Sequence, residues 1–147
     1  MEKFLDQKIQ KQLEDLFVQL LNPVAIVLFI NETNCEYCQE TRQLLQEVAD
    51  LSDKIMLQVH NLETEGALAQ SYRIDKAPGF IIAGFENEKI KNYNICYYGI
   101  PAGSEFTSLV RDILMVSSRD SGLSEATREF LRSLTKPVHL EVFVTPT

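Results

Sequence analysis

Pro23-Val24-Ala25-Ile26-Val27-Leu28-Phe29-Ile30, followed after a short polar link by Cys35-Glu36-Tyr37-Cys38, is the stretch that decides the fold. The run from Pro23 to Ile30 is apolar and β-branched, bounded by Asn22-Pro23 and by Asn31, and reads as a buried strand. Beyond the cysteines, Gln39 to Leu51 contains no Gly or Pro, and Leu44, Leu45, Val48 and Leu51 recur at helical spacing. The two cysteines therefore stand where a strand gives way to a helix. Free N–H groups and the positive end of the helix dipole face the first thiol there and favour its thiolate. Cys35 is expected to be exposed and activated. Cys38 follows one turn later, close enough to close a disulfide. A lone Cys-x-x-Cys is a moderate signal, and its strand-to-helix setting strengthens it.

Bulk composition fits a small redox protein. A chain of 147 residues that is 45% hydrophobic can bury one good core, so one main domain is expected. The formal charge is −7, and no basic run stands out, which argues against nucleic acid as a partner. The longest apolar runs are too short to span a bilayer, and Met1 to Asp6 lacks the pattern of a secretory leader. Three cysteines are too few for a disulfide scaffold. Cytoplasm is the expected compartment, and no cofactor is expected.

Outward from the cysteines, periodicity supplies the remaining elements. An amphipathic helix is predicted from about Glu2 to Leu21, stopped by Asn22-Pro23. Ile55 to His60 reads as a second strand, parallel to the first through a right-handed crossover. A short helix from about Glu63 to Tyr72 should turn Ala67, Leu68 and Tyr72 inward. Gly79 to Ala83 and Tyr93 to Tyr98 read as an antiparallel pair joined through Glu86-Asn87-Glu88. Ser104 can cap a last helix running to about Val116. The order β-α-β-α-β-β-α behind an extra helix is a thioredoxin-like (glutaredoxin-like) α/β fold. The expectation is a three-layer α/β/α sandwich with a mixed four-stranded sheet and an extra N-terminal helix.

The chain also repeats itself. Helix, Pro, strand occurs at Leu20-Leu21-Asn22-Pro23-Val24 and again at Leu134-Thr135-Lys136-Pro137-Val138, and Phe29 and Phe143 stand at the same offset. Residues 1–117 are therefore predicted as the thioredoxin-like unit. Residues 118–147 are predicted as a helix (about Ser124 to Leu134) and a strand (Val138 to Val144) that begin an incomplete second unit.

Several segments carry a family resemblance. They are Cys35-Glu36-Tyr37-Cys38 after Asn22-Pro23, Tyr72-Arg73-Ile74-Asp75-Lys76-Ala77-Pro78, Tyr98-Gly99-Ile100-Pro101-Ala102-Gly103-Ser104-Glu105-Phe106, and Val142 to Thr147. Together they make the chain resemble the protein disulfide oxidoreductases, glutaredoxin-like proteins built of two fused thioredoxin-fold units. The second unit's own cysteine motif, to which Val142 to Thr147 would lead, is absent. A more distant likeness is to the tandem-fold N-terminal domain of alkyl hydroperoxide reductase flavoproteins, in which the first half lacks the cysteine pair. The resemblance implies that Ala77-Pro78 is cis and lies against the dithiol. The Ala77 backbone would then offer its N–H and C=O to an extended substrate.

The chemistry expected is dithiol exchange. Cys35 attacks, and Cys38 resolves the mixed disulfide. Glu36 opposes the thiolate, which favours a reductant over a strong oxidant. Tyr37 fits either a shield over the dithiol or a plain surface aromatic, and with Ala77 and Pro78 it forms the expected substrate-binding set. The competing readings are a metal clip or two packing cysteines, although zinc needs four ligands as a rule and only Cys96, His60 and His139 remain. Cys96 is expected to be a buried structural thiol, and both histidines to be strand residues without partners. Glu32 or Asp75 could shuttle a proton, though each fits a solvated loop. Glu32 and Pro101 to Ser104 depart from a glutathione site, which favours protein disulfides as substrates, recharged by an upstream reductase of the thioredoxin-reductase kind. A non-catalytic binding module and an iron–sulfur carrier are the alternatives. The strand expected from Val138 to Val144, left bare, points to a homodimer formed largely by Ser124 to Thr147, the competing reading being a frayed tail on a monomer.

Overall fold

The computed structural model describes residues 2–145. The helices are α1 (Gln7–Phe17), α2 (Cys38–Ala49), α3 (Gly66–Ser71), α4 (Ser104–Ser118) and α5 (Glu125–Arg132), and the strands are β1 (Val24–Ile30), β2 (Ile55–Asn61), β3 (Gly79–Glu86) and β4 (Lys89–Tyr98). The sheet order is β2-β1-β3-β4, with β1 parallel to β2 and antiparallel to β3, and β3 antiparallel to β4. This is the thioredoxin-like mixed sheet expected from the sequence.

Every residue of β1 is buried. Its alternation divides the core: Val24, Ile26, Leu28 and Ile30 meet side chains of α1, α2 and α4, while Ala25, Val27 and Phe29 meet α3. A central strand covered on both faces must read as an unbroken apolar run, which is why Pro23 to Ile30 was so legible.

Element ends depart from expectation where polar side chains intervene. Helix α1 begins at Gln7, because the Asp6 carboxylate accepts the Ile9 N–H at 2.8 Å and caps it. Phe4 and Leu5 lie outside the helix, their N–H groups held by the Glu47 carboxylate at 3.1 and 2.9 Å. The helix also stops at Phe17, short of Leu21. Helix α3 begins at Gly66 rather than Glu63, since Asn61 Oδ1 accepts the N–H groups of Glu63 and Thr64 in a turn of its own. Its buried residue is Ala69. Ala67, expected inward, is exposed, and Leu68 and Tyr72 are half-buried. Strands β3 and β4 are longer than predicted and meet at Asn87-Glu88, both with positive φ, as a two-residue primed hairpin requires. Glu86 belongs to β3 instead of the loop.

Two polar side chains tie the far end of the sheet. Ser117, buried in α4, accepts the N–H groups of Leu21 and Asn22 at 2.9 and 3.1 Å and donates to the Asn22 carbonyl at 2.8 Å. Arg119 donates to the carbonyls of Val116 and Pro23, and its Nε pairs with Glu86 at 2.7 Å.

Residues 118–147 correct the expectation in one respect. The helix is present as α5, and the Ser124 hydroxyl caps it by accepting the Thr127 N–H. Val138 to Val144, expected as a strand, takes no regular structure. The neighbouring edge, β4, carries an irregular register opposite Ile81 to Ala83 and a positive φ at Asn94, a kinked edge on which a ladder does not extend. Leu140, Val142 and Val144 instead line a groove of about 420 Å³ with β4 and α4. Met1, Pro146 and Thr147, the last two closing the repeated segment, lie outside the described residues.

Candidate functional site

Cys35 and Cys38 are joined as a disulfide with their Cα atoms 5.6 Å apart, inside the usual range for a bridge. Cys38 opens α2 and Tyr37 stands at its N-cap with φ 64°, offering no side-chain cap. The first helical hydrogen bond runs from the Thr41 N–H to the Tyr37 carbonyl at 2.9 Å. The N–H groups of the first turn therefore lack a side-chain cap at the dithiol end of the helix. The two sulfurs differ in access. Cys38 is 1% exposed and belongs to the main core cluster, whereas Cys35 is half-buried at its edge. The expected exposure of Cys35 thus holds in part, and the asymmetry is the useful fact.

Ala77-Pro78 is cis, as the resemblance implies. The register places it: Phe29 pairs with Gly79, so Pro78 comes one step further, beside the end of β1 that leads to the cysteines. Ala77 packs against the same apolar cluster as Cys35. The Pro78 carbonyl accepts the Gly99 N–H at 2.9 Å. Gly79 is required by close approach, because a Cβ there would stand 2.6 Å from the Lys76 carbonyl oxygen. Tyr37, also in the expected substrate set, is 45% exposed beside the disulfide.

Tyr98 is the functional neighbour that sequence reasoning passed over. Its hydroxyl accepts the Asp75 N–H at 3.3 Å and lies 3.2 Å from the Arg73 carbonyl and 3.1 Å from Asp75 Oδ1. Lys76 pairs with Asp75 at 2.8 Å and sits 5.2 Å above the Tyr98 ring. The loop that presents Ala77-Pro78 is thereby fastened to the end of β4. Burial, chiefly, pushes the Tyr98 hydroxyl up to about 12, and bonds from Lys76 and then Tyr98 hold the Asp75 carboxyl below its ordinary value. Asp75 is thus committed to this fastening. Glu32 is exposed in the loop before the cysteines.

Three other expectations are corrected. Cys96 is an exposed thiol, because its neighbour Tyr97 turns inward instead, stacking on Phe80 at 5.0 Å and bonding Asp112 through its hydroxyl. His60 has partners, Glu65 at 2.9 Å and the Phe29 ring at 5.2 Å. His139 lies outside any strand and meets Glu141 at 2.9 Å. Among the described residues, no three His, Cys, Asp or Glu side chains gather in a way that could hold a metal ion. No helix among them is long and apolar enough to cross a membrane.

A thioredoxin-like α/β unit with a Cys-x-x-Cys pair at the start of its second helix is the class that fold and site define. Known proteins similar to it include a protein disulfide oxidoreductase and components of alkyl hydroperoxide reductases. In structure the chain is similar to the protein disulfide oxidoreductase of Aeropyrum pernix K1, with a TM-score of 0.84 and 28% identity over 98% of this chain and 62% of that one. It is also similar to the N-terminal NTD_N/C domain of alkylhydroperoxide reductase AhpF from Enterococcus faecalis, with a TM-score of 0.79 and 27% identity over 90% of this chain and 62% of that one. In sequence it is 29% identical over 143 residues to the F component of alkyl hydroperoxide reductase from Staphylococcus epidermidis, covering 97% of this chain. The chain spans about a quarter of the length of that curated relative. No protein-family model matches it. Both resemblances read from the sequence are found, at 28% identity to the disulfide oxidoreductase and 29% to the peroxide-reductase component.

Proposed function

We propose that the chain is a thiol–disulfide oxidoreductase unit that reduces or exchanges protein disulfides through Cys35 and Cys38. The observation that carries this reading is the unequal access of a bridged pair at a strand-to-helix junction. A disulfide between a half-open and a closed sulfur can be entered from one side alone. In the reduced state the Cys35 thiolate, favoured by the start of α2, attacks a substrate disulfide and forms a mixed disulfide. Cys38 then attacks Cys35, the internal bridge re-forms, and the substrate leaves as a thiol. Two electrons pass to the substrate, and an upstream reductase of the thioredoxin-reductase kind restores the dithiol. Tyr37, Ala77 and Pro78 form the surface on which an extended substrate lies, with the Ala77 backbone as its hydrogen-bonding edge. Glu36 beside the pair favours reduction of clients over their oxidation.

Insulin-disulfide reduction tests the reading. Cys35→Ser should abolish turnover, and Cys38→Ser should leave a mixed disulfide visible by mass spectrometry. If the adduct forms on Cys38 instead, or neither variant differs from the unaltered chain, the assignment is wrong.

Residues 1–117 form the redox unit in this reading, and residues 118–147 its docking segment. Two copies pair through that segment. The support is a set of exposed apolar side chains, Phe130, Val138, Leu140, Val142 and Phe143, with Phe143 the most open at 87%. In the first copy of the repeat the matching apolar run is wholly buried. Ser117 and Arg119 are built into the body of the fold, so truncation is a poor test and substitution in the intact chain a better one. Light scattering should show a dimer for the unaltered chain and a monomer for Leu140→Asp/Phe143→Asp. A monomeric unaltered chain removes the proposal.

A further inference from the structure

Among the described residues, two buried side-chain oxygens have no hydrogen-bond partner: Asn31 Oδ1 and Thr41 Oγ1. They bracket the dithiol, Asn31 directly after β1 and Thr41 in the first turns of α2. Thr41 is the more telling, because it is 0% exposed. Buried hydroxyls are ordinarily bonded, and a helical threonine usually satisfies itself on the carbonyl four residues back. Here that carbonyl, on Tyr37, takes the Thr41 N–H at 2.9 Å, and the hydroxyl does not join it.

Thr41 stands three residues after Cys38, so the two side chains share one face of α2 and their Cβ atoms are about 5–6 Å apart. Helical side chains lean toward the N-terminus, which carries the Thr41 hydroxyl back over the Cys38 turn. In the structure Cys38 is bound to Cys35, and a disulfide sulfur is a poor acceptor. Reduction changes that. A Cys38 thiolate is a strong acceptor in a closed apolar setting, where a lone charge is costly.

We propose that Thr41 is a positioning residue for the resolving sulfur: its hydroxyl donates to Cys38 once the bridge is reduced. This rests on the dithiol reading above and deepens it. In the resolving step Cys38 loses its proton and its sulfur attacks Cys35. The Cys35–substrate bond breaks, the Cys35–Cys38 bond forms, and the proton ends on the departing substrate thiolate. Thr41 donates to Cys38 as that charge develops, leaving its oxygen unpartnered again when the bridge closes. The other titratable groups around Cys38 are few. Cys35, Glu36 and Glu40 lie on its own segment, both carboxylates being exposed. The core cluster that holds Cys38 is otherwise apolar; its tyrosines are Tyr97, whose hydroxyl is engaged by Asp112, and the half-buried Tyr93.

The test compares Thr41→Val, of nearly the same shape, with Thr41→Ser, which keeps the hydroxyl. The Cys38 Cβ carbon chemical shift of the reduced chain is followed against pH, and the dithiol is equilibrated with glutathione redox buffers. Thr41→Val should raise the Cys38 titration point by about one pH unit, a tenfold loss of thiolate, as expected for a hydrogen bond to a charged group. It should also shift the glutathione equilibrium about fivefold toward the disulfide, because the reduced form alone loses a bond. Thr41→Ser should follow the unaltered chain in both. A purely structural hydroxyl would move the melting temperature and neither readout. The inference is overturned if Thr41→Val titrates and equilibrates like the unaltered chain, or if Thr41→Ser behaves like Thr41→Val. Failure of the unaltered chain to exchange with glutathione or insulin would count against the proposed function. The Cys38 titration would still decide the role of Thr41.

Discussion

Replacing Tyr98 with Phe isolates what the fastening of the cis-proline loop contributes. The variant keeps the ring and therefore the Lys76 cation above it, and removes the hydroxyl alone. That hydroxyl has one proton for two acceptors, the Arg73 carbonyl and Asp75 Oδ1, and accepts one N–H, from Asp75. Two bonds are thus lost at any moment. Tyr98 is 41% exposed, so water replaces much of what is lost. Two half-solvated bonds amount to about 1 kcal/mol of stability. If the loop Arg73 to Pro78 must be held for substrate to bind, the same energy reappears as a loss in kcat/KM of about fivefold for insulin reduction. Urea unfolding and insulin turbidity measure the two quantities separately. With the hydroxyl pushed up to about 12, it stays protonated across the neutral range, so the ratio of Tyr98→Phe to unaltered activity should not vary with pH there. A variant within about 0.3 kcal/mol and twofold of the unaltered chain would refute the reasoning. So would a pH-dependent ratio.

Two further outcomes are expected away from the dithiol. Ser117→Ala removes the partner of two N–H groups and one carbonyl at the α1–β1 link, and should cost about 2–3 kcal/mol. A melting-temperature fall on the order of 5–10 °C by calorimetry would match it, and no fall would not. The Glu47 carboxyl is held below its ordinary value: burial works against this, but hydrogen bonds from Gln43, Leu5 and Phe4 prevail. Because the folded value is depressed, this stability is present above the unfolded value of about 4.3 and is lost as pH falls through the folded value. Protection factors at the Phe4 and Leu5 amides, corrected for the intrinsic rate at each pH, should therefore fall in acid before those of the core amides, and a simultaneous fall would contradict it.

The strand–cysteine–helix centre was legible because its signals are redundant. A two-face buried strand has to be apolar throughout, and α2 shows its period without interruption. What escaped was set by single polar side chains acting on backbone N–H groups: Asp6 and Glu47 before α1, and Asn61 before α3. Composition and periodicity average over such contacts. Cys96 was misjudged by face and not by period. Asn94, Cys96 and Tyr98 do share one face of β4, but it is the open one, and Tyr97 on the other face enters the core. The strand expected from Val138 to Val144 failed because a strand needs a receptive edge as well as a suitable sequence. The cis bond at Ala77-Pro78 was anticipated through family likeness rather than from local residues, since nothing within the dipeptide distinguishes it from an ordinary turn. Tyr98 was passed over because its role comes from a loop more than twenty residues earlier in the chain.

The Arg119 side chain joins three places that the backbone leaves separate: the last turn of α4, the start of β1 at Pro23 and the end of β3 at Glu86. It stands at the opposite end of β1 from the cysteines, where the chain leaves the body of the fold toward α5. A pull on α5 meets this clasp first. The stretch beyond it, by contrast, returns along β4 and α4 through Leu140, Val142 and Val144. It brings Glu141 within electrostatic reach of Lys76, so one tail touches the fold at both ends of the sheet.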